Sequence, residues 1–195
     1  CNFGGPPTFF DPYKIPHLEP RKTGEYLPER LADEAIAYMK RDRGAKPFFL
    51  CLWTYTVHWP MEAPEPLLAK YAGLKGPGLN DSRYGAMIEG MDLAVGRVLK
   101  AVDDLQLRED TLVIFCSDQG LCGGHHGMWG MGDHARPIHT FEETIHIPLI
   151  FRHTGSIPIG TVFDGRTCNY DFFPSMLDYL GLADALPSEP MLPGT

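Results

Sequence analysis

Thr111-Leu112-Val113-Ile114-Phe115-Cys116-Ser117-Asp118-Gln119-Gly120 is the stretch on which the fold turns. Its apolar part is continuous, has strand length and stops at Ser117-Asp118. A run without alternation predicts a strand buried on both faces. Toward the N-terminus, Met87, Ile88, Met91, Ala94, Val95, Val98, Leu99 and Val102 mark one face of a long helix. Asn80-Asp81-Ser82 offers its N-caps. Further back, Pro47 leads into Phe48-Phe49-Leu50-Cys51-Leu52-Trp53, an apolar run of the same kind. Strand, helix, strand with fully apolar strands predicts an α/β fold: a mostly parallel sheet flanked by helices. Ligands of such sheets bind beyond the carboxyl ends of the strands. Asp118 and the loop carrying His58 are therefore expected on one rim.

The rest of the chain is read from breakers and periodicity. Residues 1–27 are rich in Pro and Gly, lack periodicity and read as an extended surface segment. Pro28 opens a helix followed through Leu31, Ala32, Ala35, Ile36 and Met39 and stopped by Gly44. A short helix is expected over 65–72, and a third strand at Leu149-Ile150-Phe151, after Pro148. A last helix is expected from Asp171 to Leu180, stopped by Gly181. Between Ser117 and about residue 144 runs a long Gly- and His-rich loop.

Composition bounds the function. The 195 residues carry a net charge of −8, with 44% hydrophobic and 22% charged residues. That excludes a disordered tail, a collagen-like fibre and a small disulfide-built domain. The acidic balance argues against a nucleic-acid binder. No apolar run approaches the roughly 20 residues of a membrane span. Among the 5 cysteines there is no C-x-x-C, and Cys51 and Cys116, inside apolar runs, read as buried thiols. The chain opens at Cys1-Asn2-Phe3 without an initiator Met, which suggests a piece of something longer.

Three positions stand out chemically. Asp118 at a strand's carboxyl end can hold a hard cation, to which Gln119 adds an amide oxygen; alternatively Asp118 caps its own turn. His58 can donate a proton to a leaving group, or pack locally on Trp59. His126, in Gly123-Gly124-His125-His126-Gly127, sits where glycines let the backbone approach a ligand. The chain has neither H-E-x-x-H nor Cys/His zinc spacing, nor a Walker lysine motif or a G-x-S-x-G elbow. Asn80-Asp81-Ser82 matches a glycosylation sequon, with the helix cap as its alternative use.

The order of motifs resembles the type I sulfatases of the alkaline phosphatase superfamily. It is carried by Val57-His58-Trp59-Pro60, Tyr84-Gly85-Ala86-Met87-Ile88-Glu89-Gly90-Met91-Asp92, Ser117-Asp118-Gln119-Gly120, His126-Gly127-Met128-Trp129-Gly130, Glu142-Glu143-Thr144 through Pro148-Leu149-Ile150, and Asn169-Tyr170-Asp171-Phe172-Phe173-Pro174. The match runs from about residue 25 to 182. The resemblance implies a partial sulfatase catalytic domain over 1–195: the surface segment 1–27, an α/β core over 28–182 and a tail or linker over 183–195. It implies sulfate-ester hydrolysis by a formylglycine nucleophile with Ca²⁺, or Mg²⁺ in its place. In the family's pattern Asp118 and Gln119 are metal ligands, and His58 contacts sulfate and helps the leaving oxygen depart. The substrate would be a sulfated carbohydrate or aryl sulfate. The compartment would be periplasmic, secreted or lysosomal.

Two departures accompany the resemblance. The C/S-x-P-S-R motif that yields formylglycine is absent, so this chain alone is expected to be inactive. The family's usual Lys after Trp-Gly, a sulfate binder, is Met131 here, and a thioether supplies no cation. His134 or Arg136 would compensate as weak substrate contacts. The alternatives are a phosphodiesterase or phosphonate hydrolase of the same superfamily, or an inactive binding homologue.

Overall fold

Pro28 has no N–H to lose at a helix start, and a helix begins there: α1 spans Leu27–Met39. α2 spans Glu65–Tyr71 and α3 Ser82–Asp104. The Arg83 backbone N–H donates to Asp81 Oδ1 at 3.0 Å, so the cap read from Asn80-Asp81-Ser82 is Asp81. Four short strands follow in part from the loop region: β1 (Val113–Cys116), β2 (Cys122–Gly123), β3 (Trp129–Gly130) and β4 (Leu149–Arg152). The one-turn α4 (Glu142–Ile145) precedes β4, and α5 spans Asn169–Tyr179. The computed structural model describes residues 6–19, 21–132 and 137–186. It divides into two compact units, Cys1–Ser156 and Ile157–Thr195.

In the first unit α3 packs against both α1 and α2. Two glycines let the elements close. A Cβ on Gly85 would meet the Tyr71 ring at 2.6 Å, and one on Gly90 would meet Tyr26 at 3.0 Å. The main core gathers Phe9, Tyr13, Tyr26, Leu27, Met61, Ala63, Ala86 and Met87. Phe9 and Tyr13 correct the expectation of a surface segment over 1–27. The segment is irregular, as expected, but both rings are buried, and Phe9 and Asp11 bond to Leu27 and Glu25 through their backbones. Without a period of its own, an irregular segment shows no buried face in its spacing.

Helices and small sheets are both present, as an α/β reading requires, but the pairing differs from the parallel one expected. β1 pairs antiparallel with β4, from Val113↔Arg152 to Cys116↔Leu149. β2 and β3 form a second antiparallel pair. Between β1 and β4 the described residues form β2, a 3-10 turn at His125–Gly127, β3 and α4, with no long crossover helix packed on the β1–β4 pair. Residues 48–53 form no ladder among the described residues. Phe48 and Leu50 pack toward Met39 and Val102, while Phe49 (85% exposed) and Trp53 (83%) face outward. Cys51 and Cys116 are exposed too, against the buried-thiol reading, and the buried thiol is Cys122. Apolar character marked these residues as strand-like but not which face the described residues cover.

In the second unit the Cys168 backbone N–H donates to Asp171 Oδ2 at 2.7 Å, closing the start of α5. Gly181, at φ 70°, follows its C-terminal end.

Candidate active site

The carboxyl end of β1 delivers Ser117-Asp118-Gln119-Gly120 into a tight turn. Ser117 Oγ donates to the Gln119 carbonyl at 2.7 Å. The Gly120 N–H donates to the Thr144 carbonyl at 3.1 Å, tying the turn to α4. A Cβ on Gly120 would lie 2.2 Å from the Glu143 carbonyl oxygen, so only glycine fits. Thr144 is itself buried and its Oγ1 donates to the Phe141 carbonyl. The turn is therefore braced by backbone rather than by mobile side chains.

Gln119 Nε2 contacts Met131 Sδ. The structure thus brings together two positions that the resemblance singled out separately, one as an expected metal ligand and one as the place of the usual lysine. With its nitrogen on sulfur, Gln119 keeps its amide oxygen as a second hard donor beside the Asp118 carboxylate. Among the described residues no group of three or more His, Cys, Asp or Glu is gathered to hold a metal. Asp118 and Gln119 fit a hard cation in kind, but they are fewer than the roughly six to eight oxygens Ca²⁺ takes.

His126 adopts a left-handed backbone (φ 54°) after Gly124 (φ 108°). Its ring stacks on Phe141 at 4.2 Å between centroids, and Nε2 lies 3.2 Å from both Glu143 oxygens. The Glu143 carboxyl is held below its ordinary range, first by its own backbone N–H and, against desolvation, by the His126 ring. Phe141 and Glu143 were not singled out in the sequence. Their spacing from His126 carries no local period, and only the fold joins them.

His58 lies on the loop before Met61. Its N–H donates to the Tyr55 carbonyl, and Nδ1 lies 3.2 Å from the Trp59 carbonyl oxygen. A carbonyl only accepts, so Nδ1 carries the proton and Nε2 is left for exchange. Trp59, the next residue, lines a cleft of about 300 Å³ with Asn80, Asp81, Gly124, Gly127, Met128 and Trp129. The His58 and His126 loops thus border one opening. His134 and Arg136 lie outside the described residues.

A hard-donor turn follows β1, and the loop carrying His58 and the glycine-rich loop border one cleft. The family model for sulfatases matches residues 2–182. The chain belongs to the sulfatase family. It is 33% identical over 182 residues to the N-acetylgalactosamine-6-sulfatase of Canis lupus familiaris, covering 89% of this chain and 32% of the relative. It is 31% identical over 179 residues to human steryl-sulfatase, covering 86% and 28%. Among solved structures, a Bacteroides fragilis protein assigned to the sulfatases superposes with a TM-score of 0.75 at 25% identity, over 88% of this chain and 40% of that one. A Bacteroides thetaiotaomicron structure from work on glycosaminoglycan metabolism gives 0.67 at 26%, over 87% and 38%. The chain spans about a third of the length of these two curated relatives. It carries part of the alkaline-phosphatase-like fold. No helix among the described residues is long and apolar enough to cross a membrane.

Proposed function

We propose that the complete protein hydrolyses sulfate esters. The observation that carries this reading is the braced Ser117-Asp118-Gln119-Gly120 turn, two hard oxygen donors at a strand's carboxyl end fixed through Gly120 to the Glu143–Thr144 backbone. Asp118 and Gln119 hold part of a Ca²⁺ site, with Mg²⁺ as the alternative ion. Bound there, a divalent cation supplies charge stabilisation to the sulfate oxygens. His58 exchanges a proton at Nε2 with the leaving oxygen, its ring oriented by the Trp59 carbonyl. His126, held by Phe141 and Glu143, faces the substrate side of the glycine loop, and His134 and Arg136 are the further candidate contacts. The formylglycine motif is absent from these 195 residues, so their share of the chemistry is holding the metal, orienting sulfate and moving the proton. The names of the relatives point to sulfated carbohydrate or aryl and steryl sulfates as substrates, and their family to a periplasmic, secreted or lysosomal setting. The domain reading proposed with it is 28–182 as core, 1–27 as a leading segment and 183–195 as tail or linker.

Asp118→Ala in the complete protein tests the ligand assignment. The expected outcome is loss of bound divalent metal and of sulfatase activity together. Normal metal content with full activity would refute it.

A second reading is favoured by the Gln119–Met131 contact. A thioether there gives no positive charge, which suits a homologue with weakened or lost catalysis.

A further inference from the structure

The leading segment and the His58 loop meet at one carboxylate. Glu62, four residues after His58, accepts through Oε2 from the Phe9 backbone N–H at 2.7 Å and from Thr8 Oγ1 at 2.8 Å. Its own carbonyl accepts from the Tyr26 hydroxyl at 3.3 Å. The frame closes on itself, because the Leu27 N–H donates to the Phe9 carbonyl at 2.8 Å. Phe9, Tyr26 and Leu27 are buried, and so are Met61 and Ala63 on either side of Glu62. Apolar burial holds these residues in the core but is not directional, whereas hydrogen bonds fix a direction. Trp59, between His58 and this anchor, is 53% exposed. The His58 ring takes its orientation from the Trp59 carbonyl, with Nδ1 3.2 Å from the oxygen. The direction of that carbonyl depends on where the chain goes next, and Glu62, three residues on, is where the path is pinned by directional bonds.

We propose that Glu62 is a positioning residue for His58, clamping the end of the His58 loop to the leading segment through Thr8 and Phe9 so that the Trp59 carbonyl holds the ring in one tautomer. A carboxylate suits this task. One of its oxygens accepts two donors at once, and charge-assisted bonds are roughly twice as strong as neutral ones. Both donors come from the leading segment, so residues 8–9 act on the site from the core side. A glutamate that only anchored the leading segment would affect folding and every ester alike. A glutamate that orients His58 affects proton transfer selectively, because the cost of a misplaced donor grows with the basicity of the leaving oxygen. This inference rests on the proton-donor role proposed for His58 for its kinetic consequence, and on the hydrogen bonds alone for the orientation of the ring.

Two measurements on the complete protein test it. In nitrogen NMR of the imidazole rings, with the His58 signals assigned by their loss in His58→Ala, the wild type should show the proton on Nδ1. Glu62→Ala should show a mixture of both tautomers. Glu62→Gln, whose amide oxygen still accepts two donors, should match the wild type. In kinetics, Glu62→Ala should lower kcat/KM about tenfold more for phenyl sulfate than for 4-nitrophenyl sulfate, whose leaving oxygen needs the proton less; that is part of the roughly 10²–10⁴-fold a proton donor supplies. Glu62→Gln should restore both. Thr8→Val removes one of the two bonds and keeps the Phe9 N–H, so it serves if Glu62→Ala does not fold. It should show the same ester-dependent loss at about threefold. A single tautomer kept in Glu62→Ala, or equal losses on the two esters where His58→Ala loses unequally, would overturn the clamp. If the wild type hydrolyses neither ester, the sulfatase reading fails and the tautomer still decides the clamp. If His58→Ala loses equally on both, the donor role of His58 fails, and the tautomer again decides whether Glu62 orients the ring.

Discussion

Gly120 shows how one residue sets the geometry of the proposed metal turn. Its missing side chain lets the Glu143 carbonyl approach to where a Cβ would stand, 2.2 Å away. The obstacle is backbone, which cannot swing aside as a side-chain end does. Gly120→Ala should therefore destabilise the complete protein by ~1–3 kcal/mol, the usual range for an inserted methyl that forces a backbone shift. Thermal unfolding together with metal content checks this. An unchanged midpoint and full metal occupancy would show that the brace is unnecessary. Met131 is the other decisive residue. If the missing cation at Gln119 limits turnover, Met131→Lys raises sulfatase activity by about tenfold, a gain within the range of a charge-assisted hydrogen bond. No gain would shift that burden to His134, Arg136 or another cation. The Gln119–Met131 contact was not legible in the sequence, because β2, a 3-10 turn and β3 lie between the two residues and bring them together. The His126–Glu143 contact was not legible at all, since neither residue lies on a periodic face.

Among the elements, α3 was the most readable. Met87, Ala94 and Val102 lie on the face that periodicity marked, and all three are buried. Ile88, assigned to the same face, is exposed, because Gly85, Ala86 and Gly90 shift the close-packed stripe toward Tyr71 and Tyr26. Its cap offers a pH test. Asp81 is held below the ordinary value of 3.8, first by the Arg83 side chain and also by the Arg83 backbone N–H, against desolvation. A carboxyl with a depressed folded pKa contributes stability that is full above its unfolded value and disappears as pH falls through the lower folded value. Asp81→Asn keeps an oxygen for the cap and loses the charge. The wild type should exceed it by about 0.5 kcal/mol near neutral pH, a discounted figure for a partly exposed pair. The gap should narrow below about pH 3.8 and close at lower pH. A gap that is constant from neutral to acid pH would exclude the charge as its source. β1 and β4 were legible as strands but not their pairing, while 48–53, read as a strand, forms no ladder among the described residues and β2 and β3 fall in what read as a loop. Apolar runs carry no information on direction, and β4 runs antiparallel to β1.

At the scale of the molecule, three loop regions, 55–61, 79–81 and 117–132, each supply residues to the cleft. The first and third were expected on one rim because both follow apolar runs; Trp59 of the first lines the cleft with Gly124, Gly127, Met128 and Trp129 of the third. The second was read as a helix start or a glycosylation sequon. Its place in the cleft comes from glycine contacts between Gly78, Asn80, Gly123 and Gly124, which no spacing in the chain announces. The apolar faces of Phe49, Trp53 and Ile150 are open in these 195 residues, which span about a third of the curated relatives they match. The chemistry therefore has to be measured on the complete protein. The most direct measurement compares kcat/KM for 4-nitrophenyl sulfate and bis(4-nitrophenyl) phosphate, before and after chelation and after return of Ca²⁺. The account predicts a sulfate-ester preference of at least about tenfold, lost on chelation and restored by the ion. A phosphodiester preference, or sulfate hydrolysis that survives complete removal of divalent metal, would contradict it.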